Sequence, residues 1–285
     1  MLAIWKENFV LELPLRYQRA VRNYQSIQIG GLTLFPVRVK EYAQWCMARP
    51  AVEALQQAFP ARLMRVPLLA AMYRLDFERR VNGEEISGLF FRALLALSLS
   101  LRLGEGLEPE ERIKRFLVKT DRKDPAKLME VRWRRDGEED VTVTPAQFQK
   151  LRPIMAGQNG VKLYGDDANP ELVEAERQMA ELSGPKLDAE IDDMICSVAA
   201  LTGAEETDID EWALLKLLRR AEALKRAMDY IVCGVGQTQG TTWKGGNPAP
   251  HPFFNRVREG SAAVVSVEEF GKNPAMREAN AGGRS

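Results

Sequence analysis

His251 is the only histidine in a chain of 285 residues. A catalytic imidazole needs a nucleophile or base network and a group that orients it. None lies at readable spacing around Pro250-His251-Pro252, which reads as a surface or docking element. Asp188 and Asp192 share one helical face, flanked by Glu190 and Asp193. A hard divalent cation takes about six to eight oxygen ligands, so this cluster reads as a solvated face rather than a metal site. Asp208, Asp210 and Glu211 resemble part of a calcium loop, but its glycine and distal glutamate are missing. As a helix start, the same acids suit the positive end of the helix dipole. Gly234-Val-Gly-Gln-Thr-Gln-Gly240 has the glycine density of a phosphate loop. Phosphate loops follow a strand and open a helix, whereas these glycines follow a helix and read as its terminator. Arg132, Arg134 and Arg135 around Trp133 form a basic, aromatic strand of the kind RNA-binding sheets use, but the acids of 136–140 follow at once and oppose a phosphate backbone. Cys46, Cys196 and Cys233 are odd in number and far apart, without zinc-ligand spacing, and are expected as three buried thiols of a reducing cytoplasm. No catalytic, cofactor-binding or metal-binding residue is expected, and the chain is not read as an enzyme.

Lys and Arg number 40, as do Asp and Glu, so the formal net charge is zero. The zero conceals three blocks. Residues 1–135 carry 24 basic and 15 acidic groups, residues 136–211 carry 5 and 19, and residues 212–285 carry 11 and 6. Neutrality argues against a protein coated for nucleic acid, and the alternation favours self-complementary packing or a charged partner surface. With 45% hydrophobic and 28% charged residues the chain is globular. No apolar run is long enough to span a membrane, and the first residues lack the features of a secretion signal.

These groups must be positioned by a mixed set of elements. Ile27–Phe35 reads as a hairpin turned by Gly30-Gly31, and Val39 to Met47 as a helix start with Tyr42, Trp45 and Cys46 on one side. Residues 61–81 carry helical spacing, with Pro67 as a kink or start and Asn82-Gly83 as the stop. A buried element follows from Ile86; it reads as helix to about residue 95, while the alternating Leu95–Leu103 is open between helix and strand. Ile113–Lys119, Leu128–Arg135 and Glu139–Thr144 read as strands, the last two joined by Asp136-Gly137. Thr144-Pro145 starts a helix that Pro153 should kink or shorten and Gln158-Asn159-Gly160 ends. Helices are expected over 171–182 and 187–201, and Thr207 is expected to open a third, with Asp208, Asp210 and Glu211 in its first turn. Along that third helix Leu214, Leu217, Ala221, Leu224, Met228, Ile231 and Val235 alternate spacings of three and four, a heptad seam with Arg219, Arg220 and Arg226 beside it. The remainder is rich in Gly and Pro and reads as an extended tail with one short strand at Ala262–Phe270.

Several stretches, in their order, are similar to one family. Leu34-Phe-Pro-Val-Arg-Val-Lys-Glu-Tyr-Ala-Gln-Trp45 resembles the early segment of tail assembly chaperones from long-tailed phages and prophages of Gram-positive bacteria. The middle segment Thr142–Gly160 resembles the family's strand–helix–"QN" pattern, and Asn169–Ala175 its acidic helix. Asp192–Gly203, Ile209–Leu218 and Met228–Ile231 look like its C-terminal helical pair. The resemblance covers about residues 30–245; the long end after Trp243-Lys244 departs from the family's short basic, aromatic tail.

The resemblance implies a non-enzymatic protein that coats the tape-measure protein, recruits tail-tube subunits and leaves as the tube polymerises. It implies action in the cytoplasm of the bacterial host and absence from the mature virion. Other readings are a structural protein of the tail, neck or baseplate, and then a nucleic-acid-binding protein. The expected fold class is α+β. A small antiparallel sheet with helices occupies residues 1–165, a helical domain 166–240, and a flexible Pro/Gly-rich tail 241–285. The expected partner-binding residues are Leu214, Leu217, Leu224, Met228 and Ile231 of the seam, with Arg219, Arg220 and Trp243. Self-association through the charge blocks is also expected, with no membrane contact.

Overall fold

A computed structural model of the chain describes residues 13–135, 139–165, 168–183 and 190–239. Helix α1 (Leu15–Arg22) leads into the hairpin β1 (Ile27–Ile29) and β2 (Leu32–Leu34), in register Ile27↔Leu34. Gly30 and Gly31 have φ of +56° and +80°, the left-handed pair that a two-residue hairpin turn demands. A 3₁₀ turn at Val39–Glu41 enters α2 (Tyr42–Glu53). Trp45 is buried in α2, but Cys46, expected on the same side, is exposed.

Helix α3 (Leu68–Val81) starts directly after Pro67, whose missing N–H costs nothing there, and ends at Asn82-Gly83. Helix α4 (Leu89–Ser100) is the centre of the core, with nine of its twelve residues buried and α2, α3 and α5 (Pro109–Lys114) packed on it. Helix thus wins over strand through Ser100. Leu and Ala favour it, and a helix surrounded on all sides can be apolar all round. Buried Asp76 of α3 completes the start of α4, accepting from Ser87 N (2.8 Å), Ser87 Oγ (2.6 Å) and Phe90 N (3.3 Å).

The three expected strands are present but shorter. β3 (Phe116–Thr120), β4 (Leu128–Trp133) and β5 (Val141–Val143) form an antiparallel sheet in that order. Ile113 belongs not to the first strand but to α5, which Pro109 opens with Glu110 and Glu111 in its first turn. The Asp136-Gly137 turn lies outside the described residues.

Helix α6 (Pro145–Gln158) begins in a reciprocal cap. Gln147 N donates to Thr144 Oγ1 (3.2 Å), and Thr144 N donates to Gln147 Oε1 (2.8 Å). Pro153 does not shorten α6, which runs on to Gln158. Arg152, buried in α6, donates from Nε to Val52 O and from Nη2 to Ala54 O, both at 2.7 Å, and so satisfies carbonyls at the end of α2.

Then follow α7 (Pro170–Ser183), α8 (Ile191–Thr202, ended by left-handed Gly203), α9 (Glu206–Asp210) and the 25-residue α10 (Leu214–Thr238). Two expectations change here. Thr207 does not open the long helix: Asp208 and Asp210 belong to the separate α9, Glu211 caps its end, and the chain breaks at Trp212-Ala213 before α10. The glycines at 234 and 236 do not terminate α10 but lie within it.

The fold is α+β. The chain forms two compact units, Met1–Pro170 with Ala189–Glu222, and Glu171–Asp188 with Ala223–Ser285. This differs from a boundary near residue 165, because α8, α9 and the start of α10 belong with the α+β unit. That unit holds the main core, built on α4 and including Leu34, Leu69, Phe148 and Leu214. In the second unit, α7 and the rest of α10 carry exposed Met179, Met228, Ile231, Val232 and Val235. The expected extended tail, with Trp243, His251 and Ala262–Phe270, lies outside the described residues.

Candidate partner-binding surface

The start of α10 is set by an unusual anchor. Extended Arg38 and its two neighbours, Val37 and Val39, pair with Trp212–Leu214. Val39 N donates to Trp212 O (2.9 Å) and Leu214 N to Val37 O (2.8 Å), with Arg38 opposite Ala213. This pairing explains the break between α9 and α10, since those backbone groups are used across the chain instead of along a helix.

The side chains at the end of α6 hold the other side of the same strand-like segment. Asn159 Oδ1 accepts from Val37 N (2.9 Å), and Asn159 Nδ2 donates to Met155 O (2.7 Å). Gln158 Nε2 donates to Gln25 O (3.1 Å) and Leu34 O (3.2 Å). Gly160, at φ +70°, lies so close to α10 that a Cβ there would come 2.8 Å from Leu215 Cδ1. Segments 34–45, 142–160 and 209–218, which carry the family resemblance, therefore meet at one place in the α+β unit.

A charge network closes this junction. Arg112, 1% exposed, donates from Nη2 to Glu41 Oε1 (3.0 Å) and from Nε to Leu107 O (3.2 Å). Arg38 reaches Glu105 (2.9 Å), Glu211 (3.0 Å) and Glu41 (3.5 Å). Lys40 also pairs with Glu211. The Lys40 ammonium, aided by Arg38, holds the Glu211 carboxyl below the usual carboxylate range. A carboxyl lowered on folding contributes its stability above its unfolded pKa and loses it as pH falls through its folded value. Urea midpoints of the wild type and Glu211→Gln should therefore differ at neutral pH and converge in acid. The gap is small, since Glu211 is half-exposed and solvent screens the pair.

The expected seam does not act as one surface. Leu214 and Leu217 are 1% and 0% exposed and belong to the protein's own interior, so they are not open to a partner. Leu224 is half-buried. Met228, Ile231 and Val235 are 47%, 54% and 49% exposed, and Val232 beside them 65%. Arg219 and Arg220 are exposed, their guanidinium carbons 5.7 Å from the Tyr24 ring centroid and 5.0 Å from that of Trp212. The structure thus leaves Met228, Ile231, Arg219 and Arg220 available and withdraws Leu214 and Leu217.

Groups that suggested other chemistry are placed as follows. Trp133 is 2% exposed and packs edge-on against Phe116 at 4.9 Å, so its ring is unavailable to stack on a base. Arg132 pairs with Glu130 at 3.0 Å. The cysteines are not three buried thiols: Cys46 and Cys196 are exposed and Cys233 is half-buried, all free. Glu206, with Asp193 and Asp192, pushes the Cys196 thiol pKa up, away from a reactive thiolate. Asp188 lies outside the described residues, and Asp192 is exposed. Among the described residues no helix is long and apolar enough to cross a membrane.

Sequence reading missed Arg38, Glu41, Arg112 and Asn159 as tertiary anchors. The one local signal was Gln158-Asn159, which read only as a helix stop. No family model, curated protein or solved structure matches the chain, so its functional reading rests on its own residues.

Proposed function

We propose that this chain is a tail assembly chaperone of a long-tailed phage or prophage, a binding protein that holds the tape-measure protein and recruits tail-tube subunits in the host cytoplasm. The observation that carries this reading is the distal face of α10. There the heptad seam leaves the interior and continues as exposed Met228, Ile231 and Val235 over the last turns of a long helix. An exposed apolar stripe at spacings of three and four offers the groove contact an amphipathic helix needs. Met228 adds a flexible side chain that adapts to varied partner surfaces. The order of the motif segments and the alternating charge blocks support the same reading.

Co-expression with the tape-measure protein should yield a complex by size exclusion and keep that protein soluble. Met228→Asp with Ile231→Asp should abolish both effects and leave the unfolding transition of the chain unchanged, because both side chains are exposed. Absence of co-purification together with no gain in solubility would overturn the reading. Finding the chain in purified virions would replace it with a structural role in the particle.

A further inference from the structure

We infer that the shoulder formed by Tyr24, Trp212, Lys216, Arg219 and Arg220 is a binding site for a carboxylate-rich segment of a partner protein. The site goes beyond the tape-measure reading and uses a different part of α10 from the distal stripe.

Three observations converge on it. First, the cations there lack carboxylates. Several basic groups elsewhere are paired, among them Arg49 with Glu53, Arg62 with Glu78, Arg112 with Glu41, Lys119 with Glu130 and Lys225 with Asp229; what sets the shoulder apart is three cations on one short stretch of helix held by two rings. Among the described residues no carboxylate pairs with Lys216, Arg219 or Arg220, and their close partners are aromatic rings. Lys216 Nζ stands 3.6 Å and Arg220 Cζ 5.0 Å from the Trp212 centroid, and Arg219 Cζ 5.7 Å from that of Tyr24.

Second, the cations crowd one another. Lys216 and Arg220 are one helical turn apart, a spacing at which like charges repel. Burial, with Arg220 second, lowers the Lys216 pKa. An arriving carboxylate would relieve that repulsion, and the rings hold the cations in place before it arrives.

Third, the segment that supplies Tyr24 is itself basic. Residues 13–40 contain no acidic side chain, and Arg16, Arg19 and Arg22 of α1 are exposed a few residues before Tyr24.

Guanidinium groups bind phosphate as well as carboxylate, so the surroundings decide between a protein and a nucleic acid. Glu205, Glu206, Asp208 and Glu211 lie immediately before Trp212 and are exposed. A continuous phosphate backbone crossing the shoulder would run toward these charges, whereas a short acidic peptide or helix ends before them. Lys216 also covers a face of the Trp212 ring, which disfavours base stacking there.

The test uses the full chain and a fluorescein-labelled octaglutamate peptide, read by anisotropy at low ionic strength, with octaglutamine as the neutral control. Saturable binding of octaglutamate alone is expected. It should weaken about tenfold in Arg219→Glu/Arg220→Glu and by a similar factor at about 200 mM salt. Both arginines are exposed, and an unchanged melting curve verifies the fold. Trp212→Leu, which keeps every charge, should weaken binding severalfold by releasing the cations. The inference is overturned by no saturable binding, by equal affinity in the double variant, or by tighter binding of a single-stranded oligonucleotide of equal charge. Self-association abolished by the same substitutions would overturn it in favour of a second copy. Tape-measure co-purification reads the distal stripe, so failure of one proposal is distinguishable from failure of the other.

Discussion

Glu41→Leu is expected to destabilise the protein by about 3–5 kcal/mol, the usual cost of removing one partner of a buried ion pair. Glu41 is 6% exposed, and its carboxylate lies 3.0 Å from Arg112 Nη2. Arg112 is 1% exposed and keeps only its bond to Leu107 O once the carboxylate is gone. A guanidinium cannot shed its charge, so it must stay ionised in the interior or pull α5 apart to reach water. The double variant Glu41→Leu/Arg112→Met should recover more than half of the loss, because it removes both charges and leaves packed apolar groups. Arg38 retains Glu105 and Glu211 in that background. Urea unfolding at constant m-value provides the measurement. A single-variant cost below about 1 kcal/mol, the level of an exposed pair, would refute the buried anchor.

Two truncations in one seam should behave oppositely. Leu217→Ala is expected to cost about 2–5 kcal/mol, since it empties a fully enclosed site. Leu217 is 0% exposed. Ile231→Ala, two heptads further on, should change stability by less than about 0.5 kcal/mol, because the residue is 54% exposed and alanine favours helix. The partner assay should reverse the ranking: Ile231→Ala weakens capture of the tape-measure protein, whereas Leu217→Ala affects it only through folding. Equal stability costs at both positions would show that the distal stripe is covered in the free protein.

Much of the local structure was legible because its causes are local. Gly30-Gly31 permits a hairpin turn with few alternatives, and Thr144-Pro145 with Gln147 builds a helix start from neighbouring atoms alone. The long helical pattern of α10 was equally plain, since its spacings repeat over several turns. Periodicity failed at Leu95–Leu103, where alternation along the chain matched a strand. It failed because α4 is enclosed by α2, α3 and α5, and a fully enclosed helix need show no polar face.

The candidate surface was only half legible for a related reason. By itself the sequence determined that a seam exists, that arginines flank it and that the chain's charges are segregated, because these are properties of order and spacing. Which part of the seam is interior and which part is surface was decided by tertiary structure. Val37–Val39 pairs with Trp212–Leu214, Asn159 fastens Val37, and Gln158 holds Leu34 just before it, so Leu214 and Leu217 are drawn into the core. The buried union of Arg112 with Glu41 was invisible for the same cause. Its partners are 71 positions apart, and each alone reads as an ordinary surface charge. Burial depends on what the rest of the chain places against a residue. Spacing along one helix therefore specifies a stripe, and only packing decides where that stripe meets solvent.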